Sequence, residues 1–213
     1  MEKKKILEEV VIIFWLFVIG SVAGYIYEMT LVFIKKGFFE NRQGLIYGPI
    51  IPVYGIGAIV YYLVLKNINT KNKLKVFLIT AILGGITEYI CSFIQEKIFG
   101  TISWDYSNLL FNINGRTSLL HCCYWGIAGI IYVVYIVPLI KKLKDKINNN
   151  AMKVITLMLS IMIIFDIGIS YIAANRQTER RNNIEAEGAI DRFLDKYYPD
   201  EFMDKIYANK KEV

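Results

Sequence analysis

Five apolar runs separated by short charged segments constrain this chain more than any other feature. They cover Val10 to Ile34, Pro49 to Leu65, Val76 to Ile94, Thr117 to Ile140 and Ala151 to Ala174. At about 1.5 Å per residue, the longer runs are long enough to cross a hydrocarbon core of about 30 Å as helices. Inside lipid every backbone polar group needs an internal partner, which a helix supplies. The composition agrees, since 55% of the 213 residues are hydrophobic and the mean hydropathy is +0.39. The expected fold is all-α: a polytopic transmembrane helical bundle of about five transmembrane helices.

Charge then divides the chain. Residues 1–9 form a basic start with Lys3, Lys4 and Lys5, residues 10–140 a four-helix membrane domain, 151–174 a fifth helix and 175–213 a polar tail. The formal net charge of +6 could point to nucleic acid. Its lysines instead sit at the ends of apolar runs, where they report topology, so no nucleic-acid partner is expected. With the N-terminus cytoplasmic, the inner segments hold twelve Lys and Arg near the span ends and the outer segments eight. Five crossings then leave the C-terminus extracytoplasmic in a multi-pass protein of the cell membrane. The first run is too long for a signal-peptide core and lacks a clean small-residue cleavage site, so it reads as a retained span. In the tail, Ile190, Phe193, Leu194 and Tyr197 fall at helical spacing and predict an amphipathic surface helix.

The first two runs resemble the next two. Gly24-Tyr-Ile-Tyr-Glu28 matches Gly84-Gly-Ile-Thr-Glu88, and Tyr54-Gly-Ile-Gly-Ala-Ile-Val-Tyr61 matches Trp125-Gly-Ile-Ala-Gly-Ile-Ile-Tyr132. The repeat units are 10–66 and 75–140, so the first four helices form two repeated pairs. Both copies start on the same side of the membrane. Such parallel repeats place a site at their interface, around an axis along the membrane normal.

Two carboxylates stand out within these apolar runs. An ionisable residue at the centre of a span costs about 2.5–3.5 kcal/mol on insertion scales, so Glu28 and Glu88 mark a candidate site. Small residues share their helix faces, Ser21 and Gly24 with Glu28, and Ala81 and Gly84 with Glu88. That lets helices approach closely. The candidate polar cluster joins Glu28, Arg42, Tyr47, Tyr54, Glu88, Trp104, Asp105, Tyr106, Asn108, Asn112, Arg116 and His121. It would either bind a substrate or lock the bundle, each carboxylate pairing with an arginine or accepting from Trp104, Tyr47 or Tyr106. The segment Gly44 to Gly57, rich in helix breakers and aromatics, predicts a tight entry into the second helix or a re-entrant piece buried in protein. Asp166 is a further, weaker candidate. His121, the only histidine, and Cys91, Cys122 and Cys123 show no metal-ligand spacing, and no cofactor is implied.

These motifs recur together. Gly24-x-x-x-Glu28, Gly44-Leu-Ile-Tyr-Gly-Pro-Ile-Ile-Pro-Val-Tyr-Gly55, Glu88-Tyr89, Glu96-Lys-Ile-Phe99, Trp104-Asp-Tyr-Ser-Asn108, Asn112-Ile-Asn-Gly115 and Trp125-Gly126 occur in order. In this order they resemble the bacterial family called putative ABC-transporter type IV. The resemblance covers roughly Gly20 to Pro138 and leaves the fifth run and the tail outside. The family's arginine-glycine pair stands here as Arg42-Gln43-Gly44, with one extra residue. The resemblance implies a transporter permease in the lipid bilayer and no particular substrate. It also implies a separate ATP-binding subunit, docking on the basic segments Lys66–Lys75 or Lys141–Lys153.

The chain itself has no GxxxxGK[ST] loop for ATP and neither G-x-S-x-G nor H-E-x-x-H. A transport component is the first reading. The alternatives are a membrane-embedded enzyme acting on a lipid or envelope precursor through Glu28 and Glu88, and a non-catalytic scaffold or sensor.

Overall fold

The computed structural model describes residues 2–140, 142 and 149–213. Most of the basic segment between the fourth and fifth runs, including Lys141, Lys144 and Lys146, lies outside the described residues. The helices are α1 (Glu2–Lys36), α2 (Pro52–Leu65), α3 (Lys73–Phe99), α4 (Leu119–Ile140), α5 (Asn150–Arg181), α6 (Ala189–Tyr197) and α7 (Asp200–Ile206). The described residues also form four short strands: β1 (Thr101–Ile102), β2 (Asn112–Ile113), β3 (Thr117–Ser118) and β4 (Lys211–Glu212).

Local chemistry sets the helix ends. Asn72, Ser118 and Asn149 cap α3, α4 and α5, each side chain accepting a hydrogen bond from a first-turn backbone N–H. Pro52 opens α2 at a position whose N–H would be unpaired in any case. Gly100 ends α3 in the left-handed region at φ +61°, one full turn beyond the apolar run. Gln95, Glu96 and Lys97 therefore belong to α3. Within α4, Tyr132–Ile136 form a π-helical turn.

Among the described residues four helices, α1, α3, α4 and α5, are long and apolar enough to cross a membrane. The second crossing is built differently. Its helix has 14 residues, about 21 Å at 1.5 Å per residue and short of the hydrocarbon core. Ahead of it, Gly44 to Ile51 run as irregular backbone beside the middle of α1 and α5. Their amides find partners within the protein: Gly44 N donates to Ile50 O (2.8 Å), Ile46 N to Ser170 Oγ (2.9 Å) and Tyr47 N to Asp166 Oδ1 (3.0 Å). Non-helical backbone is tolerated at membrane depth only when buried in protein in this way. Asp166, 4% exposed, thus holds the entry segment in place.

Helices α1 and α2 pack as an antiparallel pair, and α3 and α4 as another. The two pairs use matching contacts. A side chain on Gly24 would overlap the Tyr54 ring, and one on Gly84 the Trp125 ring. Gly55 lies against Phe17, and Gly126 against Phe77. Gly20 lies against Ala58, while Gly129 lies against Thr80 with the small residue on the other helix. Between the pairs, Tyr54 and Trp125 have ring centroids 5.4 Å apart, and Tyr61 and Tyr132 5.8 Å apart. Tyr61 OH donates to Trp125 O at 2.9 Å. Outward rows such as Leu78, Ile82, Leu157, Met162 and Phe165 stay exposed, as lipid-facing positions should.

Helices α1, α3 and α5 run in one direction, so the connections after α1 and α3 and the tail share one face. Trp15 Nε1 donates to Thr156 Oγ1 (3.0 Å), and Thr178 Oγ1 to Phe99 O (3.2 Å), tying α5 to the bundle. The tail folds back onto that face. Pro199 cannot continue a helix, and the expected single amphipathic helix is two, α6 and α7. Of the four residues expected on its apolar face only Leu194 is buried. It joins Tyr198, Met203 and Tyr207 against Ile46, Ile169, Ala173 and Ala174. Strand β4 pairs antiparallel with β1, and β2 with β3.

Candidate functional site

The two acids expected to matter lie near one another between the helix pairs. Glu28 Oε1 accepts a hydrogen bond from Tyr54 OH at 2.6 Å. Glu88, 6% exposed, accepts from Tyr106 OH (3.0 Å) and Thr117 Oγ1 (2.8 Å). Each acid sits one helical turn beyond the glycine that admits an aromatic ring from its partner helix. The same helix contact therefore sets the depth of both carboxylates. They lie close enough for their charges to interact, with the rings of Tyr27 and Tyr106 in the same neighbourhood.

The loop between β1 and β3 delivers Tyr106 to Glu88. Asp105 Oδ1 accepts from Ser107 N (2.9 Å), and Tyr106 N donates to Gly115 O (2.8 Å). Asn112 Nδ2 donates to Leu109 O (2.8 Å), and its Oδ1 accepts from Gly115 N (3.0 Å). Trp104 Nε1 donates to Arg116 O at 2.8 Å. Asn114 and Gly115 sit at positive φ, which closes the turn. The Tyr106 ring stacks on His121 with centroids 3.6 Å apart, and His121 Nδ1 lies 2.9 Å from Ser118 Oγ. Burial and the neighbouring Glu88 carboxylate push the Tyr106 phenol well above its ordinary pKa, so it remains a hydrogen-bond donor. Asp105 is solvent-exposed, and the hydrogen bonds from Ser107 hold its carboxyl below the usual value.

Of the residues singled out in the sequence, the structure brings together Glu28, Tyr54, Glu88, Tyr106 and His121. Trp104 and Asn112 shape the loop that carries Tyr106. The arginines do not join them. Arg42 pairs with Glu40 at 2.9 Å in the connection after α1. Arg116 pairs with Glu96 at 2.6 Å and lies over the Tyr89 and Phe93 rings. Tyr47 turns toward the tail, its hydroxyl 2.8 Å from that of Tyr198. Asp105 and Asn108 are exposed at the loop surface. Thr117, Ser118 and Tyr27 escaped the sequence reading. Thr117 and Ser118 look like the polar start of a span, and only the loop's fold turns Thr117 toward Glu88.

Two carboxylates, Glu88 buried and Glu28 half-buried, accept hydrogen bonds from neutral hydroxyls and have no ion pair among the described residues, an arrangement that can take up positive charge. The bundle around it, with four helices long and apolar enough to cross a membrane among the described residues, defines a polytopic integral membrane protein. The chain belongs to the family described as putative ABC-transporter type IV, which matches residues 15–171. The match begins within α1 at Trp15, takes in α2 to α4 and continues along α5 to Tyr171. The fifth helix, with Asp166, is thus part of the family unit, whereas the sequence motifs alone had left it outside. No curated protein and no solved structure matches the chain.

Proposed function

We propose that this chain is the permease subunit of an ABC-type transport system, and that Glu28 and Glu88 bind a cationic group of the substrate or a proton. One observation carries this reading. The two carboxylates lie near one another, accept from Tyr54, Tyr106 and Thr117, and have no ion pair among the described residues, while Arg42 and Arg116 are engaged with Glu40 and Glu96. An anion pair held in this way is costly to keep empty, and a cation entering it relieves that cost. The matching contacts of the two helix pairs support a duplicated unit with the site on its pseudo-axis. Helices α1 and α3 would then each contribute one acid, and α2 and α4 the aromatic rings behind them.

In this reading the N-terminus is cytoplasmic, and the face carrying the connecting loops and tail is extracytoplasmic. The lysine-rich segments at the other face support this orientation. An ATP-binding subunit would dock there, on Lys66–Lys75 and on the segment between α4 and α5.

The test is purification of the tagged protein from its native membrane in mild detergent, with mass spectrometry of what stays bound. The expected result is a nucleotide-binding ATPase in stoichiometric amount. A preparation that retains no such subunit overturns the permease assignment.

A further inference from the structure

The loop that carries Tyr106 also carries the most exposed large apolar side chains among the described residues. Leu110 is 85% exposed and Phe111 78%. The stretch from Tyr106 to Gly115 holds no charged residue. The backbone is bent to present the pair. Phe111 takes φ +55°, a left-handed conformation uncommon for a bulky side chain. Asn112 Nδ2 fixes the bend by donating to Ser107 O (3.1 Å) and Leu109 O (2.8 Å). Exposed apolar patches of this kind mark a surface that meets protein or lipid.

The hairpin of β2 and β3 sets the depth of this tip. Its closed end packs along the last turns of α3, where Asn114 Nδ2 donates to Tyr89 OH (3.0 Å) and Arg116 pairs with Glu96. Its open end leads into α4. There Phe111 O accepts from the N–H of Leu119, the first residue of α4, at 3.2 Å. Phe111 therefore lies at the level where α4 begins, and α4 is long and apolar enough to cross a membrane. Beside it Thr117 bonds Glu88, which lies within the apolar run Val76 to Ile94. Leu110 and Phe111 thus occupy the membrane-ward end of the loop. Next to them Leu119 is exposed, and Leu120, Tyr124, Ile127 and Ile131 continue the exposed apolar surface down one face of α4.

We propose that Leu110 and Phe111 are an interfacial anchor, inserted at the boundary between headgroups and acyl chains of the leaflet on this side. The bilayer is the occupant because it already adjoins the patch along α4. Irregular backbone exposed to lipid is excluded from the hydrocarbon core, and the boundary still offers water to its free polar groups. The loop is then held from two sides, by α3 and by the bilayer, and it is this loop that brings Tyr106 OH to Glu88. The anchor goes beyond the permease reading and requires only that α4 span the membrane.

The experiment is tryptophan fluorescence of the full-length protein in phosphatidylcholine vesicles. It reads the emission that Leu110→Trp adds to that of Trp15, Trp104 and Trp125. Ile82→Trp, on an exposed row of α3, is the lipid reference, and Lys71→Trp, in an exposed connection at the opposite face, is the water reference. Phosphatidylcholine brominated on its acyl chains should quench the Leu110→Trp emission at least about threefold more than that of Lys71→Trp, as insertion into the boundary demands. Iodide on both sides of the membrane should quench it less than Lys71→Trp. Phe111→Trp keeps an aromatic ring at the bend and is measured in parallel, so the test stands if either variant folds. Quenching like that of Lys71→Trp places the tip in water and overturns the proposal. Emission that neither quencher reaches also overturns it, and means that a second copy or another protein covers the tip. No ATPase and no transport enter the measurement, so the anchor and the permease reading fail by different results.

Discussion

A single methyl group on Gly84 would meet the Trp125 ring, and one on Gly24 the Tyr54 ring. The helices of each pair must then separate or the rings must turn, and both acids lose their setting. Gly84→Ala and Gly24→Ala should each lower the thermal midpoint in detergent, with a cost of about 1–3 kcal/mol from overpacking. Gly168 has open space where its side chain would stand, so Gly168→Ala is the internal control that does not lower the midpoint, alanine being the better helix former. Equal behaviour of all three variants contradicts this account of the packing. At this scale the sequence was informative about what is rare in lipid and silent about partners. Glu28 and Glu88 were legible because carboxylates in apolar runs are costly. The glycine and aromatic positions were legible because they recur in two copies. Arg42 and Arg116 were read toward those acids, but each has a closer carboxylate on the loop side, Glu40 and Glu96. Thr117 was hidden because its bond to Glu88 spans 29 residues and has no local signature.

Among the elements, the entry to α2 depends most on a residue far away in sequence. Asp166 accepts the Tyr47 amide and the Ser170 hydroxyl, which in turn accepts the Ile46 amide. Asp166→Leu leaves a buried amide unpaired. It should destabilise the bundle by about 1–3 kcal/mol, more than Asp166→Asn, whose amide oxygen can still accept. Thermal unfolding in detergent ranks the two. The docked tail offers a second test. Lys210 lies over the Tyr207 ring at 4.0 Å, near Phe99, Arg181 and Asp204. The ring favours the charged amine, but burial dominates and pushes its pKa down to about 8. The folded tail therefore releases a proton that the undocked tail keeps, and docking strengthens as pH rises from about 8 toward the ordinary lysine value near 10.4. Lys210→Met should flatten that part of the pH profile of the thermal midpoint; an identical slope in both proteins rules this out. Apolar periodicity located the long helices well. It missed the ends of α3 because polar residues can continue a helix until a left-handed glycine stops it. It read α6 and α7 as one helix by passing over Pro199.

The whole molecule is asymmetric along the membrane normal. One face carries the connection after α1, the loop before α4 and the tail, and five of its six arginines, 42, 116, 176, 180 and 181, are in ion pairs. If that face is extracytoplasmic, a cysteine at exposed Ser107 is labelled by an impermeant thiol reagent in intact cells. A cysteine at exposed Lys71 is then labelled only after lysis. The reverse pattern inverts the orientation. Alternation of loops across the bilayer was legible from the run count, whereas the layered cap was not, since its bonds join segments that share no pattern. That cap also imposes an order on biosynthesis. Strand β1 finds its partner only when β4 is made, and Asn209 Nδ2 bonds Ser103 O across 106 residues of chain. During translation the helix pairs can insert and pack while this face still stands open. Closure of the cap is then a late event, and a ribosome stalled before β4 leaves a bundle with this face uncovered.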